Sequence, residues 1–457
     1  MTAANSATGI TAAIVAELAA RRYELLSEDS REISRQCLLD WLGVTIAAVR
    51  EPVVGILRAD ALEQGGAPQA ALLGGGKGSI YAAALINGAA GHALDYDDVA
   101  FAMSAHASAV ILPALLALAQ HRGSDGRAVL TAFVAGYEAA SRIGVLVAPD
   151  HYERGFHGTA TIGTFAAAAA CCHLLGLDEE HCAHAVGIAA TEAAGIRAMF
   201  GTMCKPLHAG RAAENGLRAA LLAARGFESR VDVLERPLGF ARTHSADFAP
   251  AAALAAPAEG YFLYRNLFKF HAACYMTHAT IESVLKLRSR GPFERENLQR
   301  LVVTIDPRLQ GVCTIAAPCS GLETKFSVRH CAALALAGYD TARLDSFTDD
   351  MALDAGVAAW RDKVEVVFAE GQPQTFARVA AMLVDGRRLE ADHDSDIPDS
   401  DLLRQRRRLT SKFLGLAAPR IGERRATIAT DLIGHLDAQP SLAPLLETGF
   451  GSHAAEA

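Results

Sequence analysis

The stretch Thr159-Ala-Thr-Ile-Gly-Thr-Phe-Ala-Ala-Ala-Ala-Ala-Cys-Cys-His-Leu-Leu-Gly-Leu177 decides the fold class. It is long enough to cross a bilayer, yet it is built from Ala, Gly, Thr and Cys and carries a histidine. Such a run predicts a helix buried inside a protein, packed against close neighbours on every side. A second apolar stretch, Ala107–Gln120, is too short for a span and contains Pro113. No partnership with a membrane is expected.

Working outward from that run, the periodicity is helical from Thr11 to about Asn266. It is clearest at Glu32–Ala48, Asp125–Val147, Glu179–Ala194 and Leu207–Arg225. Turn residues separate these segments, as at Gly123-Ser-Asp125 and Gly176-Leu-Asp178. Met1–Arg22 reads as an amphipathic helix, because it lacks the basic start, apolar run and cleavage site of a signal peptide. After one more helix at Lys269–Arg290 the texture changes. Leu301–Ile305 and Lys363–Val367 read as strands, and Phe376–Val384, Asp385-Gly386, Arg387–Ala391 as a hairpin with a type I′ turn. Helices at Val328–Ala337 and Met351–Ala359 lie between the strands. From Asp401 helices return, with a basic run at Arg404–Arg408 on a solvated face. The expectation is a mainly α protein with an α+β second domain: a large all-helical domain, 1–266 plus 396–457, interrupted by a smaller α+β domain, 267–395.

Composition agrees. At 457 residues the chain exceeds the size at which single cores split into domains. Hydrophobic residues make up 51% but aromatics only 6%, so the apolar mass is Ala, Leu and Val, which favours packed helices over a β-sandwich. A net charge of −8 gives no general attraction for nucleic acid or an anionic membrane surface. The nine cysteines are odd in number and form no C-x-x-C pair, so they read as reduced thiols in a reducing, cytoplasmic compartment.

Five segments combine reactive side chains with helix ends. In Gly91-His-Ala-Leu-Asp-Tyr-Asp-Asp98, followed by Ser104-Ala-His106, three carboxylates crowd into four residues and repel one another. Asp95 and His92 are three apart and would share a helix face. An acidic helix end in solvent is the plain alternative; a divalent-metal site is another, but no second acid-rich helix faces this one. In Tyr152-Glu-Arg-Gly-Phe-His157, His157 precedes a helix start, where the helix dipole disfavours imidazolium and leaves a neutral, proton-accepting ring. The third segment is Gly195-Ile-Arg-Ala-Met-Phe-Gly-Thr-Met-Cys-Lys205-Pro-Leu-His208-Ala-Gly-Arg211. It places Arg197, Lys205 and Arg211 in a glycine-bearing loop, with Pro206 in the first turn of the next helix. Free backbone N–H groups there, with Lys205, suit a carboxylate or phosphate. The remaining two are Lys269-Phe-His-Ala-Ala-Cys-Tyr-Met-Thr-His278 and Gly321-Leu-Glu-Thr-Lys325-Phe-Ser-Val-Arg-His330. The chain has no H-E-x-x-H, no G-x-S-x-G, no G-x-G-x-x-G after a strand, and no cysteine spacing suited to an iron–sulfur cluster.

Together these segments resemble the MmgE/PrpD family, which includes 2-methylcitrate dehydratase, cis-aconitate decarboxylase and iminodisuccinate epimerase. The pieces that carry the resemblance are Asn87-Gly88, His92-Ala-Leu-Asp-Tyr-Asp-Asp98, Gly155-Phe-His157, Gly201-Thr-Met-Cys-Lys205-Pro-Leu-His-Ala-Gly210, Thr277-His278 and Lys325-Phe-Ser327. The resemblance implies a helical domain with an α+β lid, a homodimer, no cofactor and no metal. It implies catalytic roles for Asp95, His106, His157, Lys205 and His278 and a site position near His330; Arg197, His208, Lys269 and His330 are expected to contact the substrate. Val99 stands where the family often has Thr, Ala107 where it often has Pro, and Lys269-Phe-His-Ala in place of K-x-Y-P. The implied activity is a cofactor-independent lyase, a dehydratase or decarboxylase of a small polycarboxylate, working by proton transfer at the carbon beside a carboxylate. An epimerase of an amino- or imino-dicarboxylate and a non-catalytic, carboxylate-binding homodimer are the alternatives.

Overall fold

The computed structural model describes residues 9–291 and 294–451. The chain forms two compact units: one runs to Phe268 and resumes at Asp401, the other is Lys269–Ser400.

The first unit begins with helices α1 (Ile10–Ala20), α2 (Glu28–Ala47), α3 (Pro52–Gln64), α4 (Ile80–Ala93) and α5 (Ala107–Arg122). It continues with α6 (Gly126–Val147), α7 (Gly158–Leu175), α8 (Glu179–Glu192) and α9 (Cys204–Ala223). Of the N-terminal helix expected at Met1–Arg22, Met1–Thr8 lies outside the described residues. Short polar side chains set the helix starts. Ser27, Ser79, Asp125 and Asp178 accept from the backbone N–H three residues on in α2, α4, α6 and α8. The Ala-rich run is α7, and every residue from Gly158 to Cys172 is buried. By length and composition α6 and α7 could each cross a membrane, but both are packed inside this unit. Small side chains let such helices approach at the short end of the usual 8–10 Å range. The closest approach fixes the site below. A Cβ on Gly88 of α4 would lie 2.9 Å from the Gly210 Cα of α9, and one on Gly210 would lie 2.3 Å from the Leu85 carbonyl oxygen. The nine cysteines are all free thiols, as expected.

In the second unit, α10 (Tyr275–Arg288) and α11 (Val328–Ala337) accompany α12 (Ala355–Arg361) and strands β1 (Leu298–Ile305), β2 (Val364–Phe368), β3 (Phe376–Leu383) and β4 (Arg388–Asp394). The sheet order is β2-β1-β3-β4, with β1 and β2 parallel and the other pairs antiparallel. Three local expectations change here. The helix expected from Lys269 begins only at Tyr275, because the N–H groups of Ala272 and Cys274 bond to the carbonyls of Thr341 and Lys325 instead. The helix expected at Met351–Ala359 breaks at Asp354, whose side chain caps α12 through Val357 N–H. The β3–β4 hairpin forms, but its turn is not type I′. That turn needs positive φ at both central residues, whereas only Gly386 has it, at 85°.

The chain then returns to the first unit through α13 (Leu402–Ile421), α14 (Glu423–Gly434) and α15 (Ala443–Phe450). In the basic run, Arg404 and Arg407 are exposed, while Arg406 makes a two-point ion pair with Glu32 at 2.7 and 2.8 Å.

Candidate active site

The site in the first unit starts from the end of α4. The helix stops at Ala93, and Asp95 adopts φ +50°, a conformation that L residues with a Cβ seldom take. Because α4 and α9 touch at Gly88 and Gly210 and run antiparallel, the C-terminal end of one meets the N-terminal end of the other. Asp95 thereby reaches Lys205, with Nζ 2.8 Å from Oδ1. Both Lys205 and Pro206 lie in the first turn of α9, as the loop reading anticipated.

The next acidic residues take separate partners, which explains how three carboxylates fit in four positions. Asp97 is fully buried and faces two histidines. His92 Nδ1 lies 2.9 Å from Oδ2 and 3.1 Å from Oδ1, and His106 Nδ1 lies 3.2 Å from Oδ2. Burial pushes the Asp97 carboxyl upward, but the two facing histidines outweigh it and hold it well below the usual carboxylate range. Asp98 accepts from the Ser108 hydroxyl at 2.5 Å and from its backbone N–H at 3.3 Å, so it satisfies the start of α5. Burial raises its carboxyl.

The anionic acceptor fixes the tautomer of His92. His92 donates from Nδ1 and so keeps a lone pair on Nε2, while His106 Nδ1 faces the same carboxylate as a charge contact without hydrogen-bond geometry. Burial brings His92 down to about 4 despite the opposing pull of Asp97, and its Nε2 has no partner among the described residues. His106 precedes α5, and its backbone N–H donates to the Thr159 hydroxyl at 3.2 Å. The loop that delivers it lies tightly on α7: a Cβ on Gly158 would come within 2.3 Å of the Ser104 carbonyl oxygen.

His157 occupies the N-cap position of α7, and its backbone N–H is held by the Gly195 carbonyl at 3.0 Å. Its ring is buried, 5.9 Å from the His92 ring and 4.9 Å, edge-on, from Phe200. His157 Nδ1 and His208 Nδ1 are 3.1 Å apart, so one donates and the other accepts. Burial, then the neighbouring His92, His106 and Lys205, depress the His157 pKa far below the ordinary histidine value. The ring is therefore neutral at neutral pH. Burial also lowers His208.

Asp95, His106, His157, Lys205 and His208 thus come together. Arg197 sits one loop away and holds it. Its guanidinium lies 3.9 Å over the Tyr152 ring and donates to the Tyr152 carbonyl at 3.0 Å. The other three named residues belong to the second unit. Lys269 and His278 are buried there, and His278 Nε2 donates to the Ala273 carbonyl at 3.3 Å. His330 is fully buried, with neither ring nitrogen partnered among the described residues, and burial followed by Arg361 brings it to about 4.

Sequence reasoning quoted His92 and Asp97 without giving them roles. The available signal was the crowding itself, since a buried carboxylate needs donors and His92 and His106 were the nearest. The expected pairing of His92 with Asp95 on one helix face gives way to His92–Asp97, because the helix ends before Asp95. Donor atoms of His92, Asp95, Asp97 and His106 all lie within 4.8 Å of one another, so this group could hold a metal ion. The Lys205 ammonium on Asp95 already supplies a cation to that carboxylate, so an arriving ion would face its repulsion.

Against family models, the MmgE/PrpD N-terminal domain matches residues 12–253 and the MmgE/PrpD C-terminal domain residues 271–437. The chain belongs to the MmgE/PrpD family. Its relatives include cis-aconitate decarboxylase of Aspergillus terreus, 25% identical over 476 aligned positions that cover 97% of this chain and 96% of that protein. A cis-aconitate decarboxylase-like protein of Aspergillus oryzae is 30% identical over 369 positions, 73% of this chain and 76% of its own. Human cis-aconitate decarboxylase is 31% identical over 242 positions, half of each chain. The protein is an MmgE/PrpD-type enzyme, and the pieces that carry the resemblance, from Asn87 to Ser327, fall within the matched ranges.

Proposed function

We propose that the protein is a cofactor-independent lyase acting on a small polycarboxylate, with loss of CO₂ from a cis-aconitate-like substrate as the favoured reaction. The observation that carries this reading is the buried Asp97 shared by His92 and His106, set beside a Lys205–Asp95 pair and a neutral His157. Lys205 pairs with a substrate carboxylate and stabilises the charge that develops on it. Breakage of the C–C bond to the departing CO₂ leaves its electron pair on carbon, conjugated with a neighbouring carboxylate. One proton then adds to carbon, so each turnover takes up one proton. His157 or His106 delivers it. The neutral ring of His157 is no obstacle, because an arriving polyanion favours the charged imidazolium. Each proton-transfer group is typically worth ~10²–10⁴ in rate.

The relatives named cis-aconitate decarboxylase support this choice over dehydration. Two histidine rings flanking His92, at 4.5 Å for His106 and 5.9 Å for His157, also suit proton transfer on two faces of one carbon, the geometry of an epimerase. The test is proton NMR in D₂O with EDTA present, offering cis-aconitate, trans-aconitate, citrate, 2-methylcitrate and iminodisuccinate separately. A new alkene with CO₂ release from cis-aconitate supports the reading. Deuterium entering an α position with inversion moves it to epimerisation. Unchanged spectra for all five reject it.

A further inference from the structure

We propose that Lys412 is a positioning residue for the reaction loop, acting through the backbone of Tyr96. Lys412 arrives on α13, 316 residues beyond the loop it touches. It is 4% exposed, and Asp40 on α2 is 2% exposed. The ammonium donates to Asp40 Oδ1 at 2.6 Å and to the Tyr96 carbonyl at 2.7 Å, and it sits 3.8 Å from the Tyr96 ring centroid. Tyr96 lies between Asp95, which meets Lys205, and Asp97, which meets both histidines. The Tyr96 carbonyl belongs to the peptide that enters Asp97, so the Lys412 bond sets the rotation of that peptide and hence the aim of the carboxylate.

Stability alone does not account for the pair. Buried ion pairs are often matched or bettered by apolar residues of similar volume, since desolvation offsets their attraction. Asp40 is also a weak counter-ion: burial raises its carboxyl to about 7, against the pull of Lys412, with Asp98 and Asp97 adding to the rise. The neutral carbonyl and the aromatic face of Tyr96 are acceptors whose strength does not depend on Asp40 being ionised. One ammonium therefore clamps the middle of a loop whose two flanking carboxylates do the work of the site, while Asp95 holds an unfavourable φ on one side. The inference rests on the reading of Asp95 and Asp97 as site residues.

The experiment compares Lys412→Met with Asp40→Asn in the full chain, by steady-state kinetics, thermal denaturation and crystal structures of both variants. Lys412→Met removes the clamp and keeps the aliphatic stem. It is expected to lower kcat about 10–100-fold with KM changed less, since a ~1 Å misplacement costs on that order, and to show Asp97 drawn away from His106. Asp40→Asn leaves the bond to Tyr96 and is expected to keep kcat within about threefold, although both variants lose thermal stability. Wild-type kcat in Lys412→Met, or kcat losses that follow the loss of Tm equally in both variants, would overturn the proposal. If Lys412→Met does not fold, Lys412→Arg takes its place. Failure of both to fold assigns the pair a purely structural role and overturns it too. If the wild-type chain turns over none of the five substrates, the lyase reading fails. The position of Asp97 in the Lys412→Met crystal structure still decides this one.

Discussion

Replacing Asp97 by Asn tests the logic of the site most directly. The carboxylate accepts from His92 Nδ1–H at 2.9 Å and faces His106 Nδ1 at 3.2 Å. An amide has one accepting oxygen and one donating NH₂. If His92 keeps the oxygen, His106 loses the anion that stabilises the imidazolium needed to deliver a proton to carbon. A single proton-transfer group is worth ~10²–10⁴ in rate, or about 3–5 kcal/mol of barrier. Asp97→Asn should therefore lower kcat by that factor. The fold should survive, because a buried anion is exchanged for a neutral group of the same shape. The assay is the initial rate of product formation by NMR with the best substrate, alongside a thermal melt to establish that the variant is folded. A folded variant with kcat within about threefold of wild type refutes the counter-ion argument, since loss of a working proton donor cannot cost so little.

Other outcomes follow from the same geometry. His92 is neutral when folded, with its pKa near 4, whereas the unfolded chain protonates it near 6.5. A lowered folded value means its stabilisation is complete above pH ~6.5 and drains as pH falls toward 4, by about 3 kcal/mol. A Tm-against-pH curve for His92→Gln should lack that component, and an unchanged acid limb would count against it. Lys205→Ala should reduce kcat/KM by ~10²–10³, in line with the loss of one group that stabilises developing charge, and Lys205→Arg should recover part of it; full activity in Lys205→Ala would end the carboxylate-pairing role. Gly88→Ala puts a Cβ 2.9 Å from the Gly210 Cα, which should cost ~1–3 kcal/mol in a urea melt and weaken activity by parting Asp95 from Lys205. A melt superimposable on wild type would show that the α4–α9 contact yields easily.

Much of the fold was legible locally. The Ala-rich run reads as a buried helix from its small side chains, and the turns ending at Asp125 and Asp178 mark the starts of α6 and α8, which those side chains cap, whereas α2 starts at Glu28, four residues before the expected Glu32. The positions of His157 before α7 and Lys205 at the head of α9 were equally legible, because helix ends follow from neighbouring residues. Errors arose where a distant segment took up backbone groups. Residues Lys269–Cys274 carry a helical pattern, but the N–H groups of Ala272 and Cys274 are claimed by Thr341 and Lys325.

The residue types that could do chemistry, and their placement at helix ends, were determined by sequence alone: short-range hydrogen bonding and side-chain size act over a few positions. Which carboxylate serves which partner was decided only in three dimensions. Asp95 turns to Lys205, Asp97 to His92 and His106, and Asp98 to Ser108, while Lys412, from far along the chain, joins Asp40 to the Tyr96 carbonyl. In sequence the three acids are near-equivalent neighbours. Burial makes them different, because a carboxylate withdrawn from water must find its own donors, and only the packing of α2, α4, α5, α9 and α13 determines which donors are within reach.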